Sequence, residues 1–225
     1  MNKEEGKEIV KAFASAGLPL VLTPIGTALL TLANECFNSS AKMRQDEWMK
    51  TLAERIDKQD ESFAEKIRNT QNFASLFANA QNGALTDVES DKIGLYANAF
   101  INAIKNERME DTKKHIFLNM LRDFTKLHID LLQFFAEDRK PKGGFQTSVG
   151  LGQRTLYDIC ADINPVFNSG KPLINAVLRD LYSRALLKSD RIDDYHSTFN
   201  GIQKGITPLG QEFLAFISEQ EETNG

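Results

Sequence analysis

Hydrophobic and polar positions alternate in two different textures along this chain. From Ala12 to Ala33 no ionisable side chain occurs, whereas from Ser40 onward apolar residues recur every three or four positions between charged ones. A run as long as Ala12–Ala33 just reaches the length of a bilayer-spanning helix. Pro19 and Pro24 interrupt it by removing backbone donors, and Gly17 and Gly26 loosen the chain beside them. The sequence offers no second span to satisfy the freed groups. The expectation is that the run is covered by protein, either the rest of the chain or other copies of it. The contacts would come from Leu18, Leu20, Val21, Leu22, Ile25, Leu29, Leu30 and Leu32. Lipid is the alternative cover. Glu4, Glu5 and Glu8 offset the lysines ahead of the run, which argues against a secretory signal.

The charged texture predicts helices. Met49, Leu52, Ala53 and Ile56 form one stripe of a helix within Ser40–Glu65, with Ser39 or Ser40 to cap it and Trp48 near the start of the stripe. Phe63, Ile67, Phe73, Leu76, Phe77 and Ala80 continue the pattern up to a stop at Asn82-Gly83. Thr86 with Glu89 reads as a capping box for a helix carrying Ile93, Tyr96, Ala97, Phe100, Ile101 and Ile104 on its inner face. A turn over Asn106–Asp111 precedes a helix from Thr112 to Phe135, with Phe117, Leu121, Phe124, His128, Leu131 and Phe135 along one side, widened by Leu127 and Leu132. No strand-like alternation appears before residue 140. Such a series predicts an antiparallel helical bundle over residues 40–135, after an apolar segment at 1–37.

Residues 136–152 contain Pro141, four glycines and the basic trio Arg139, Lys140 and Lys142, and read as a linker. Gly150-Leu151-Gly152 lacks both the dinucleotide fingerprint and the Lys-Ser/Thr of a phosphate loop. Beyond it, residues 153–219 form a second module and 220–225 a tail. Thr155–Ile163 reads as a short helix closed by Asn164-Pro165. Pro172 opens a helix to Lys188 carrying Leu173, Ala176, Val177, Leu181 and Leu187, and a polar stretch follows to Gly201. Thr207 caps a last helix, Pro208 takes its first position, and Gly210 permits close packing.

Composition narrows the function classes. With 225 residues the chain is long enough to bury a core, and its net charge of -4 opposes general backbone-driven binding to nucleic acid. Cys36 and Cys160 lie far apart and match no metal spacing, so both are expected as reduced core residues, which fits a cytoplasmic location. His115 and His128 are thirteen positions apart without a completing ligand, and Asp190, Asp193, Asp194 and His196 read as a solvated hairpin, so no metal site is expected. No nucleophile, base and orienting group stand together. The residues therefore point to a non-enzymatic protein without cofactor.

Two resemblances add to this. Leu181-Tyr182-Ser183-Arg184-Ala185-Leu186-Leu187, the polar stretch after it, and Ile206-Thr207-Pro208-Leu209-Gly210 resemble a winged-helix domain over about the last third of the chain. That likeness implies a fold that is mainly α, a helical bundle followed by a winged-helix-like module with a small β-hairpin. It makes Pro172–Lys188 the recognition helix and Ser189–Gly205 the wing, with Lys171, Arg179, Arg184, Lys188, Arg191 and Lys204 as contacts to phosphate or to a partner. Asp180, Asp190, Asp193 and Asp194 among those cations weigh against tight duplex binding. The layout from Leu18-Pro19-Leu20 through Trp48 to Asp130-Leu131-Leu132 is similar to bacterial helical proteins of the abortive-infection Abi-alpha kind, which implies phage defence. The expected function is an interaction or adaptor protein that self-associates or binds a protein partner. A DNA-binding transcription regulator and a membrane-associated defence effector are the alternatives.

Overall fold

The computed structural model describes residues 39–87, 89–137, 156–192, 196–197, 201–202 and 204–220. The apolar run with its contacts Leu18, Leu20, Val21, Leu22, Ile25, Leu29, Leu30 and Leu32, Cys36, and most of the expected linker lie outside the described residues. Two compact units divide the chain at Phe124. One comprises residues up to Asp123 together with those from Phe216 onward; the other is Phe124–Ala215.

The described helices of the first unit are α1 (Ser39–Ile56), α2 (Glu61–Asn69), α3 (Phe73–Thr86), α4 (Ile93–Lys105) and α5 (Asp111–Asp123), with a short 3-10 turn at Ser90–Lys92 ahead of α4. α4 is the axis of this unit: every position from Tyr96 to Ile104 is buried, and α1, α2, α3 and α5 all pack on it. A helix buried on every side must be apolar nearly all round, and Ala97, Ala99 and Ala103 complete what its inner stripe begins. The stripe Met49, Leu52, Ala53 and Ile56 of α1 is buried with Trp48, whose ring lies 5.2 Å from Phe77. Phe73 and Phe77 of α3 meet Phe100 edge-on at 5.5 and 5.7 Å, a geometry that aligns the positive ring edge with the negative ring face.

Several expected boundaries move, each for a local reason. The charged helix ends at Ile56, because Asp60 starts a new one by accepting the Phe63 N–H at 3.1 Å. Asn82-Gly83 lies inside α3 and does not stop it. Gly83 is small because the Tyr96 ring rests where its Cβ would be. Thr86 is the last residue of α3, its hydroxyl donating back to the Asn82 carbonyl, and Asp87, which follows it, accepts the Glu89 N–H at 3.0 Å within the turn ahead of the 3-10 segment. The expected Thr112–Phe135 helix is two helices broken at Phe124-Thr125, which is also the boundary between the units.

The second unit holds α6 (Lys126–Phe134), α7 (Leu156–Ile163), a 3-10 turn at Pro165–Ser169, α8 (Lys171–Ser183) and most of α9 (Pro208–Ile217). Phe134, Phe167, Leu178, Leu181, Leu186 and Phe213 are buried in it. α8 ends at Ser183, five residues before the expected Lys188. The Leu186 N–H reaches back to the Leu181 carbonyl at 3.0 Å and the Ala185 N–H to the Tyr182 carbonyl at 2.8 Å, with Ala185 at φ 59°. That pair of bonds is the Schellman closure of a helix. Its buried apolar positions are Ile174, Val177, Leu178 and Leu181, while Leu173 and Ala176 face solvent. Thr207 does cap α9, accepting the Gly210 N–H at 3.0 Å, and a Cβ on Gly210 would overlap the Leu186 carbonyl.

The β-hairpin wing, and with it the winged-helix form of the fold, is corrected. The described residues are helices joined by irregular chain, and their extended pairing is limited to two residues against two, His196–Ser197 with Gly201–Ile202, plus one bridge between Leu187 and Ile206. Two residues a side fall well short of an ordinary strand, which runs to about five. The described residues are mainly α, and among them no developed wing is present.

Candidate functional site

Polar side chains converge at three places, two in the first unit and one in the second. At the junction of α3 and α4, Lys92 is 1% exposed and its ammonium pairs with the Asp87 carboxylate, which also accepts the Tyr96 hydroxyl at 3.1 Å. Burial, then the neighbouring Asp87 charge, push the Tyr96 phenol well above the ordinary tyrosine range. A phenol held protonated and donating is not poised as a base. This cluster ties the capping loop to the buried helix. Lys114 is buried in the same unit, 3.3 Å from Asp111.

The second cluster lines a cleft of about 280 Å³ formed by α1, α4 and the residues after α9. Asn98 and Asn102, one turn apart on α4, donate to the last carbonyls of α9 and just beyond. Asn98 reaches Ile217 at 3.1 Å, and Asn102 reaches Phe216 and Ser218, both at 2.9 Å. A helix end leaves its final carbonyls without partners, and these amides supply them. Glu219 then turns toward the end of α1 and the turn after it, where Lys58 Nζ lies 2.9 Å from Oε1 and the Arg55 guanidinium contacts Oε2. Hydrogen bonds from Lys58 and Arg55 hold the Glu219 carboxyl below the usual carboxylate range. Lys105 adds a further cation to the lining. Gln59 donates from Nε2 to the Arg55 carbonyl at 2.9 Å, while its Oε1 is shut from solvent with no donor among the described residues.

The third is in the second unit. The Thr125 N–H donates to His128 Nδ1 at 3.1 Å, which requires that nitrogen to be unprotonated and puts the ring hydrogen on Nε2 in the neutral imidazole. Nε2 faces Asp180 at 3.3 Å, and the ring stacks on Phe124 at 5.0 Å. Arg184 covers that phenyl ring at 5.0 Å and its Nε lies 3.3 Å from the other Asp180 oxygen. Here histidine fills the place that glutamate usually takes at a helix start, so its chemistry is spent on the α6 cap.

The cations expected as contacts are spread rather than convergent. Arg184 is committed to Phe124 and Asp180. Lys188 Nζ donates to the Lys204 carbonyl at 3.1 Å. Arg179 stands 3.9 Å from Asp190 with most of its side chain in solvent, and Lys171, Arg191 and Lys204 are exposed. The outward arc of α8 runs through Pro172, Ala176, Arg179 and Ser183, with Leu173 on one flank and Tyr182 on the other, 50% and 48% exposed. Cys160 is buried and forms no disulfide among the described residues. Among the described residues no group of His, Cys, Asp and Glu could hold a metal ion, and no helix is long and apolar enough to cross a membrane.

Sequence reading missed Asp87, Lys92, Arg55, Asn98, Asn102 and Glu219. Only Asn98 and Asn102 carried a signal, two amides spaced i, i+4 within the most apolar helix. The Lys58 to Glu219 pairing joins positions 161 residues apart, which no local pattern encodes. In comparison with known proteins, no family model, curated protein or solved structure matches the chain.

Proposed function

We propose that the chain is a non-enzymatic interaction or adaptor protein and that the outward arc of α8 docks a protein partner. The observation carrying this reading is that one 13-residue helix leaves both Leu173 and Tyr182 about half exposed on the two flanks of its outward face, with Arg179 on that face next to Tyr182. Large apolar and aromatic side chains beside arginine are what well-packed interfaces draw on. Lys171 at the helix start and Arg191 beyond its end favour a partner segment that is acidic as well as apolar. The polar clusters elsewhere support the same reading, since a phenol, a lysine and a histidine that catalysis would use are each engaged in capping or pairing.

A photocrosslinking residue at Ala176 in the full chain tests this in the cell of origin. The expected result is one dominant protein adduct, mapped to an acidic segment and lost with Arg179→Glu. Sequence-selective binding to duplex DNA that weakens steeply with salt, without a protein adduct, would instead support the transcription-regulator alternative. Self-association through residues 12–33 belongs to the same proposal. Light scattering on the full chain and on a chain lacking residues 1–37 is expected to give an oligomer and a monomer. Material that pellets with membranes only when residues 1–37 are present points to the membrane-associated effector. A setting in bacterial phage defence rests on resemblance of layout alone, and plaque counts on cells with and without the protein test it.

A further inference from the structure

Among the described residues, three hydrogen-bond donors at one end of the first unit have no acceptor. They are Arg44 Nη2 and Trp48 Nε1 on α1 and Asn72 Nδ2 at the start of α3, each atom shut from solvent. Contacts along the helices place them at that common end. Trp48 lies against Phe77 and Phe77 against Phe100, while Arg55 approaches Gly94 and Gly83 approaches Tyr96. α1 and α3 therefore run parallel to each other and antiparallel to α4. Arg44, one turn before Trp48, and Asn72, just ahead of Phe73, fall on the same side of that aromatic layer. The N-terminus of α3 is there as well, and Asn72 in its N-cap position makes no side-chain cap bond. A helix start left open by its cap favours an anion. Trp48 is fully buried, so its indole N–H has no recourse to water, and a buried donor left unmade is costly. Arg44 and Asn72 are partly exposed, which sets the three donors just beneath the surface.

We propose that this end of the first unit binds a small carboxylic acid with an apolar body, its carboxylate accepting from Arg44, Trp48 and Asn72. The three groups select that class by their chemistry. All are donors, so the ligand supplies acceptors only. One is a cation, which matches a single negative charge, and its planar fork suits the two oxygens of a carboxylate. A phosphate dianion would leave charge unmatched where solvation is poor. The neighbours call for the apolar body, since Phe77 is partly exposed beside Trp48, and Met43, adjacent to Arg44, is 78% exposed. The site uses no residue of α8 and so goes beyond the docking surface already proposed.

Trp48 is the chain's sole tryptophan, so it reports on the site directly. Hexanoate, hexanol and inorganic phosphate are titrated into the full chain at constant ionic strength, following Trp48 emission and its indole N–H resonance. The expected result is a saturable response to hexanoate alone, with the indole resonance moving downfield as its hydrogen bond forms. Arg44→Gln is expected to weaken hexanoate binding about ten-fold, through loss of a charge-assisted hydrogen bond. Asn72→Asp is the second variant. Aspartate is a favoured N-cap and its charge suits a helix start, so the chain stays folded, yet the added carboxylate repels the ligand and binding is expected to be lost. Circular dichroism establishes the fold of each variant. No response of the unaltered chain to hexanoate overturns the proposal. So does an equal response to hexanol or phosphate, or hexanoate binding left unchanged in either folded variant.

Discussion

Among the described residues, a buried lysine and a left-handed alanine stand out against ordinary preference. Lys92 is held from water with Asp87 as its anion, and removing one partner of such a pair strands the other in a poorly solvating interior. Asp87→Asn is expected to lower stability by about 3 kcal/mol. A shift of the urea midpoint with an unchanged slope would measure it, and a loss below about 1 kcal/mol would mean that water reaches the ammonium. Ala185 at φ 59° closes α8 where glycine is the usual residue. Its Cβ is crowded in that conformation, and glycine's extra unfolded-state freedom offsets only part of the relief. Ala185→Gly is therefore expected to raise stability by about 0.5–1 kcal/mol in the same assay.

Among the elements, α4 sets the terms for the rest of its unit. Being buried all round, it needs small residues where neighbours approach, and Gly83 on α3 supplies one against the Tyr96 ring. Gly83→Ala sets two effects against each other. Alanine gains about 1 kcal/mol of helix propensity, while overpacking costs about 1–3 kcal/mol. The ring is also fixed by its bond to Asp87, so it cannot easily yield, and a net loss of about 1 kcal/mol is expected from thermal or urea unfolding. The break between α5 and α6 follows the same logic of local satisfaction. Thr125 and His128 supply a helix start inside what reads as one continuous apolar stripe, because Phe124 is buried on either interpretation.

At the scale of the whole molecule, the contact with the longest reach described is the clasp of Glu219 on Arg55 and Lys58. A carboxyl whose pKa is depressed on folding contributes stability above its unfolded value, near 4.3, and loses that contribution as the pH falls through the folded value. The unaltered chain is thus expected to melt above Glu219→Gln at neutral pH, with the gap closing as acid titrates the carboxyl. Melting temperatures of both proteins across an acid series would record this. Since Glu219 is nearly half exposed, salt is expected to narrow the gap at neutral pH as well. A gap unchanged by both acid and salt would mean that the side chain acts by packing and not by charge.

Helical periodicity by itself determined that the chain is mainly α and which residues go inside: Trp48, Met49, Leu52, Phe100, Phe117 and Leu181 are apolar at helical spacing, and all are buried. Capping at Thr207 was equally readable, because it depends on neighbours in sequence, and a glycine at 210 signalled a close approach without saying that the Leu186 carbonyl makes it. The end of α3, the break at Thr125 and the end of α8 were not. In each, a residue that terminates helices in isolation is overruled by what packs on it, or an ordinary residue is recruited as a cap. The hairpin wing was inferred from the resemblance carried by Leu181–Leu187 and Ile206–Gly210 on either side of it, and those flanking residues do not specify strand pairing between them; the described pairing there is two residues against two. The clasp and the buried lysine were decided only by tertiary structure, since the free energy of a charge depends on which distant groups surround it, and spacing along the chain does not carry that information.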